Sequence, residues 1–160
     1  MRGDWAEVAR KVQEKVLDII LKEQSPKKAT RFVQDFIIDL RKKSVPYRDL
    51  IIWKTLTKPV EAYEVKASHV EAAKMLQAKG WELSIGDKVG YVVVTGTGRL
   101  YERVKPYIFA SYDEVDTEYY VSKQVVPASA RILEFFNVTT EDLLGAKTEE
   151  KKTRSLSDFF

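Results

Sequence analysis

The chain has 160 residues, 44% of them hydrophobic and 32% charged, with a formal net charge of +3. That length suits one globular domain of ordinary size or two small lobes. With no cysteine and a single histidine, disulfides, thiolate catalysis and cysteine- or histidine-built zinc sites are excluded; no apolar run approaches the roughly 20 residues of a membrane span, and so small a net charge means that any nucleic-acid surface must come from clustering.

Asp4 and Glu7 have the spacing of a capping box, and they interrupt any signal-peptide pattern at the start of the chain. Trp5, Val8, Ala9, Val12, Val16, Ile19 and Ile20 recur at helical spacing and predict one apolar stripe. Ser25-Pro26 reads as an N-cap with proline at the first helical position. A second helix is predicted from Pro26 to about Lys43, with Ala29, Phe32, Val33, Phe36, Ile37 and Leu40 as its stripe. Two amphipathic helices joined so closely are expected to pair as an antiparallel hairpin. Arg41-Lys42-Lys43 suits the negative end of the helix dipole, and equally a phosphate contact. Ser44-Val45-Pro46 breaks the chain, and Leu50 to Leu56 reads as a strand.

The stretch from Ser68 to Arg103 organises the rest. Ser68 and Glu71 are spaced as a capping box, and Gly80 supplies a left-handed stop. Lys88 to Thr95 is rich in Val and Tyr and predicts a strand; Gly96-Thr97-Gly98-Arg99 forms the tip, and Leu100 to Pro106 returns as a second strand. Bare glycine backbone beside an arginine can approach an anion, although many such turns are only turns. No Gly-Lys-Ser/Thr follows, so this is no Walker loop, and no helix follows, so it is no dinucleotide fingerprint. On a strand, Arg99 and Arg103 would share one face.

Tyr107 to Val115 reads as loop. Asp116 should cap a long helix from Thr117 to about Phe136 that kinks or restarts at Pro127. Thr139 or Thr140 begins a short helix closed by Gly145, and from Ala146 the sequence turns polar before ending in Ser-Leu-Ser-Asp-Phe-Phe. Asp113, Glu114, Asp116 and Glu118 are the one acidic group where Mg²⁺ could be sought. Their other reading is a helix cap and first-turn charges.

Four motifs, in order, resemble one family. These are Arg2-Gly3-Asp4-Trp5; Ser68-His69-Val70; Gly90-Tyr91-Val92-Val93-Val94-Thr95-Gly96-Thr97-Gly98-Arg99 with Glu102-Arg103; and Tyr119-Tyr120-Val121-Ser122-Lys123-Gln124-Val125-Val126-Pro127. Together they look like the thumb of archaeal family B DNA polymerases. Where family members carry two arginines before Asp-Trp, Gly3 stands here, which leaves that second contact in doubt. The resemblance implies an α+β, mostly helical fold: a helical hairpin, a small antiparallel β hairpin with a third strand, and a long C-terminal helix. It implies a thumb over residues 1–145, divisible into sub-lobes 1–56 and 57–145, and a tail over 146–160.

Its implied work is to grip primer–template duplex, with no catalytic residue on this chain. Mg²⁺ would sit in the palm of a larger partner polypeptide that also carries the exonuclease. The resemblance places DNA contacts at His69, Lys74, Gly96, Thr97, Gly98, Arg99 and Arg103, and palm docking at Arg2, Asp4 and Trp5. The chain would then be the small subunit of a split polymerase or an excised piece, working in the cytoplasm at the nucleoid, away from any membrane. The tail residues Thr153, Leu156, Phe159 and Phe160 resemble a sliding-clamp-binding box in which Thr153 replaces the usual glutamine. Leu156, Phe159 and Phe160 stand at i, i+3 and i+4, so one helical turn would present all three. An adaptor that binds the clamp with little DNA contact, and a small metal-dependent nuclease, are the alternative readings.

Overall fold

A computed structural model describes residues 4–145. The fold is α+β and mostly helical, with one small antiparallel sheet, as the sequence predicts. It forms two compact units. One comprises the residues up to Glu7 together with Pro46–Tyr119, and the other comprises Val8–Val45 together with the described residues from Tyr120 onward. None of the described helices is long and apolar enough to cross a membrane.

The first unit is built on a three-stranded sheet, with β1 (Ile52–Thr55), β2 (Lys88–Val93) and β3 (Val104–Pro106) in that order. β1 pairs antiparallel with β2 in the register Trp53 to Gly90, and β2 pairs with β3 in the register Val92 to Lys105. β2 is central and, past Lys88, buried on both faces, which explains its near-continuous apolar run. Helix α3 (Ser68–Ala78) lies against β2 and β3. The sequence places its cap at Ser68, but the N-cap is Ala67, with no side-chain bond. The Ser68 hydroxyl instead bonds the Tyr91 phenol, so a tertiary partner outcompetes the local cap.

The helix stop is as expected. Gly80 has φ of +93°, its N–H bonds the Gln77 carbonyl, and the Trp81 N–H bonds the Leu76 carbonyl. That double bond fixes the chain's exit and leaves Trp81 on the surface.

Two expectations for this unit fail. The first helix, α1 (Glu7–Glu23), begins beyond Trp5, which is buried at 3% exposure outside any helix rather than on the helical stripe. The return strand does not start at Leu100. Leu100–Glu102 is a 3₁₀ turn, with β3 only following at Val104. Glu102 sits three residues after Arg99 and accepts the Arg99 N–H, which favours the turn over extended chain.

In the second unit, α1 buries Val8, Ala9, Val12, Val16 and Ile19. Helix α2 (Pro26–Arg41) starts as the sequence dictates, with Ser25 accepting the Lys28 N–H at 3.1 Å and proline at its first position. It buries Ala29, Val33, Ile37 and Leu40, while Phe32 and Phe36 meet each other at 6.0 Å between ring centres.

The predicted long helix is three segments. α4 (Thr117–Tyr120) passes into a π turn (Val121–Val125), and α5 (Val126–Leu133) follows. Pro127 carries no N–H, and the wider turn just before it lets Val126 bond back to the Val121 carbonyl. A restart at Pro127 is therefore realised as a change of hydrogen-bond register. Helix α6 (Thr140–Leu144) is capped by Thr139 in a reciprocal box with Asp142 and closed by Gly145 at φ of +66°. Gln34 of α2 donates to the Asp142 carbonyl at 2.7 Å, and Gln13 of α1 to that of Ala128 at 3.1 Å.

Candidate nucleic-acid interface

The Gly96–Arg99 tip lies wholly within the first unit. β2 is extended past Val93 by a bridge from Val94 to Val115, and the Val94 N–H bonds the Arg103 carbonyl. These bonds hold the base of the tip, while Thr95, Gly96, Thr97, Gly98 and Arg99 are all exposed. Gly98 has φ of +95°, a left-handed value that a side chain would strain. A Cβ there would also stand 2.6 Å from a Glu102 oxygen. Gly98 therefore stays bare chiefly because its conformation requires it, since the Glu102 carboxylate is the far end of a side chain that can move aside.

Arg99 and Arg103 are not brought onto one strand face. The 3₁₀ turn separates them, and their environments differ. Arg99 is exposed. Arg103 is only 21% exposed and forms an ion pair with Asp116 at 3.0 Å. Lys105, two residues on, pairs with Glu114. That hydrogen bond, followed by the Ser111 N–H, holds the Glu114 carboxyl below its ordinary pKa. Asp116 also accepts the Tyr119 N–H, serving α4 as the sequence predicts. These carboxylates are thus engaged with two cations and a helix terminus. Among the described residues there is no group of three or more that could hold a metal ion.

His69 is half-buried in the first turn of α3, with its ring edge-on to Tyr63 at 5.7 Å. Burial, and then the Lys54 charge, lower its pKa from the ordinary value. Near neutral pH it can offer a neutral imidazole N–H but no charge. Lys74 is exposed and pairs loosely with Glu71 at 3.3 Å.

Sequence reasoning misses Lys66. Its ammonium lies 5.6 Å from the centre of the Tyr101 ring, which joins the approach to α3 with the turn after the tip. The approach to α3 and the turn after the tip are therefore neighbours. The signal was available only as an exposed lysine two residues before a helix, which by itself says nothing. Arg2 lies outside the described residues, as do Thr153, Leu156, Phe159 and Phe160. Trp5, expected to dock on a palm, is packed within the chain's own fold.

The tip thus offers exposed backbone with Arg99 beside it, on a turn that packs on α3. The family model for DNA polymerase family B matches residues 1–136. DNA polymerase 2 of Aeropyrum pernix is 50% identical over 145 residues, covering 91% of this chain and 18% of its own length. A DNA polymerase of Methanocaldococcus jannaschii is 39% identical, covering 89% of this chain and 9% of its own length. The solved family B DNA polymerase of the hyperthermophilic archaeon Pyrobaculum calidifontis superposes with a TM-score of 0.75 at 40% identity, over 81% of this chain and 18% of that one. The chain belongs to DNA polymerase family B, and it spans less than a fifth of the length of these archaeal relatives.

Proposed function

We propose that this chain is the thumb of a family B DNA polymerase and grips the primer–template duplex through its phosphates. The carrying observation is the exposed Gly96–Arg99 tip, held at its base by strand bonds and followed by a turn that packs on α3. Helix starts and bare backbone N–H groups favour phosphate. Contacts to the backbone suit an enzyme that must accept every sequence. Arg99 and Lys66 supply charge, Gly96, Thr97 and Gly98 supply backbone, and Lys74 and neutral His69 extend the surface. Arg103, paired with Asp116, contributes chiefly by bracing the tip. Catalysis and its Mg²⁺ belong to the exonuclease and palm parts of the polymerase. The tail, through Leu156, Phe159 and Phe160, ties the assembly to a sliding clamp.

Salt-dependent duplex binding tests the grip. Each lost phosphate contact flattens the salt slope by about 0.9, so Arg99→Ala should remove about one unit, and Arg103→Ala less, because its charge is already compensated. Slopes unchanged by Arg99→Ala in the assembled enzyme would place that residue on a merely solvated turn. For the tail, aromatic anchors commonly cost about 2 kcal/mol or more when truncated, roughly thirtyfold in affinity. Phe159→Ala with Phe160→Ala should abolish most clamp binding in calorimetry while leaving clamp-free primer extension intact. Equal affinities would mean that the clamp is held elsewhere.

A further inference from the structure

The first unit carries a second surface, away from the charges of the tip. Trp53 and Trp81 are 46% and 52% exposed, whereas Trp5 is buried. Both line one groove of about 120 Å³ with Lys88, Gly90, Tyr107 and Ile108. Scattered apolar residues on a surface are ordinary, but two indoles in one groove are not.

The groove is built rather than accidental. Trp53 stands across from Gly90 in the β1–β2 register, and its six-membered ring occupies the space where a side chain at 90 would be. Tyr107 holds the same indole edge-on at 5.3 Å. The second indole is placed by the helix stop at Gly80, whose two backbone bonds fix where residue 81 leaves α3. The sheet register and the helix stop thus place both indoles at one groove.

Its dimensions and charge narrow the occupant. Drug-sized ligands take pockets of about 300 Å³ or more, so this groove admits about one planar ring. Lys88 is the charged residue among those lining it, and none of them is acidic. Flat aromatic rings with a neighbouring cation on a sheet face are what unpaired nucleotides require, since every base has a stacking face and every link a phosphate. Base pairs in a duplex keep those faces hidden, so the groove cannot serve duplex in the way the tip does.

We infer that the Trp53–Trp81 groove is a single-strand site, stacking a base of an unpaired DNA strand with Lys88 on its phosphate. It rests on membership of a DNA polymerase family and not on the duplex grip, with which it shares no residue.

The test is titration of the full chain with single-stranded oligothymidylate, and with duplex of equal length, at low salt. Tryptophan emission is the readout, and buried Trp5 gives a constant background. Oligothymidylate should quench Trp53 and Trp81. Trp81→Ala, an exposed substitution that leaves the core intact, should weaken single-strand binding by about five- to hundredfold and leave duplex affinity within about twofold. Trp81→Tyr should retain most of it, and Lys88→Ala should flatten the single-strand salt slope by about 0.7. Arg99→Ala should affect duplex alone, which separates a failure of this site from a failure of the grip. Absence of quenching by oligothymidylate would overturn the inference, as would equal losses for both DNA forms. Quenching by the larger polymerase polypeptide in place of the oligonucleotide would make the groove a protein-docking face and overturn it as well.

Discussion

Substituting Gly90 by alanine puts the packing of the sheet to a numerical test. A Cβ at this position would lie 2.7 Å and 2.8 Å from two carbons of the Trp53 ring and 3.0 Å from an Ile51 methyl. Ordinary contact begins near 3.4 Å, so the indole must shift by more than half an ångström. Overfilling a packed site costs about 1–3 kcal/mol. Trp53 is nearly half exposed and can swing outward, which places the cost at the lower end. Against it stands the loss of backbone freedom in the unfolded chain, worth about 0.4–1 kcal/mol in alanine's favour. Gly90→Ala should therefore destabilise by about 0.5 kcal/mol. Combined with Trp53→Ala, which empties the space, the same substitution should be neutral or stabilising. Urea unfolding of the four proteins, followed by circular dichroism, gives the coupling directly. A cost at residue 90 that is the same with and without the indole would refute this account of the packing, as would stabilisation with Trp53 present.

Asp116 joins two roles, and two substitutions should separate them. Asp116→Asn keeps an acceptor for the Tyr119 N–H and loses only the charge facing Arg103, whereas Asp116→Ala loses both, so alanine should be the worse by about 1 kcal/mol in denaturant unfolding, within the usual range for a cap. The pH dependence of stability should carry a mark of His69. Its folded pKa is lowered, so the unfolded chain takes up the proton first and stability falls as pH drops below about 6.5. His69→Gln should flatten the curve between pH 7 and the lower folded value of the imidazole. Glu114, also lowered, contributes stability that is lost only as pH falls below the ordinary carboxylate value of 4.5, so a second decline there should survive the His69 substitution.

What the sequence showed plainly were features decided within a few residues. Ser25-Pro26, Gly80, and Thr139 with Gly145 each act on the adjacent turn, and each stands where the local chemistry puts it. Where a distant group competes, local reading fails. Ser68 looks like a cap, but the Tyr91 phenol claims its hydroxyl. Trp5 has the spacing of the α1 stripe, yet it goes into the core outside the helix, which waits until Glu7. The tip itself was legible from its glycines. That Arg103 faces Asp116 was not, because nothing at either position announces a partner 13 residues away. The Trp53–Trp81 groove was equally hidden, since it depends on the strand register that sets Trp53 opposite Gly90.

The order of the two units along the chain bears on how the protein is made. Residues 8–45 belong with residues from 120 onward, and the whole of Pro46–Tyr119 comes between. During synthesis, at about 5–20 residues per second, α1 and α2 leave the ribosome long before α5 and α6 exist. Gln13 and Gln34 must wait for the Ala128 and Asp142 carbonyls, with Val12, Val33, Ile37 and Leu40 lacking their later neighbours meanwhile. The intervening unit can complete its sheet first, since its three strands and α3 all lie within one continuous stretch. Once compact it draws the ends at Pro46 and Tyr119 closer than a loose loop would, reducing the entropy of closing the outer unit. The order of synthesis thus lets the inner unit form while the first two helices still stand without the last.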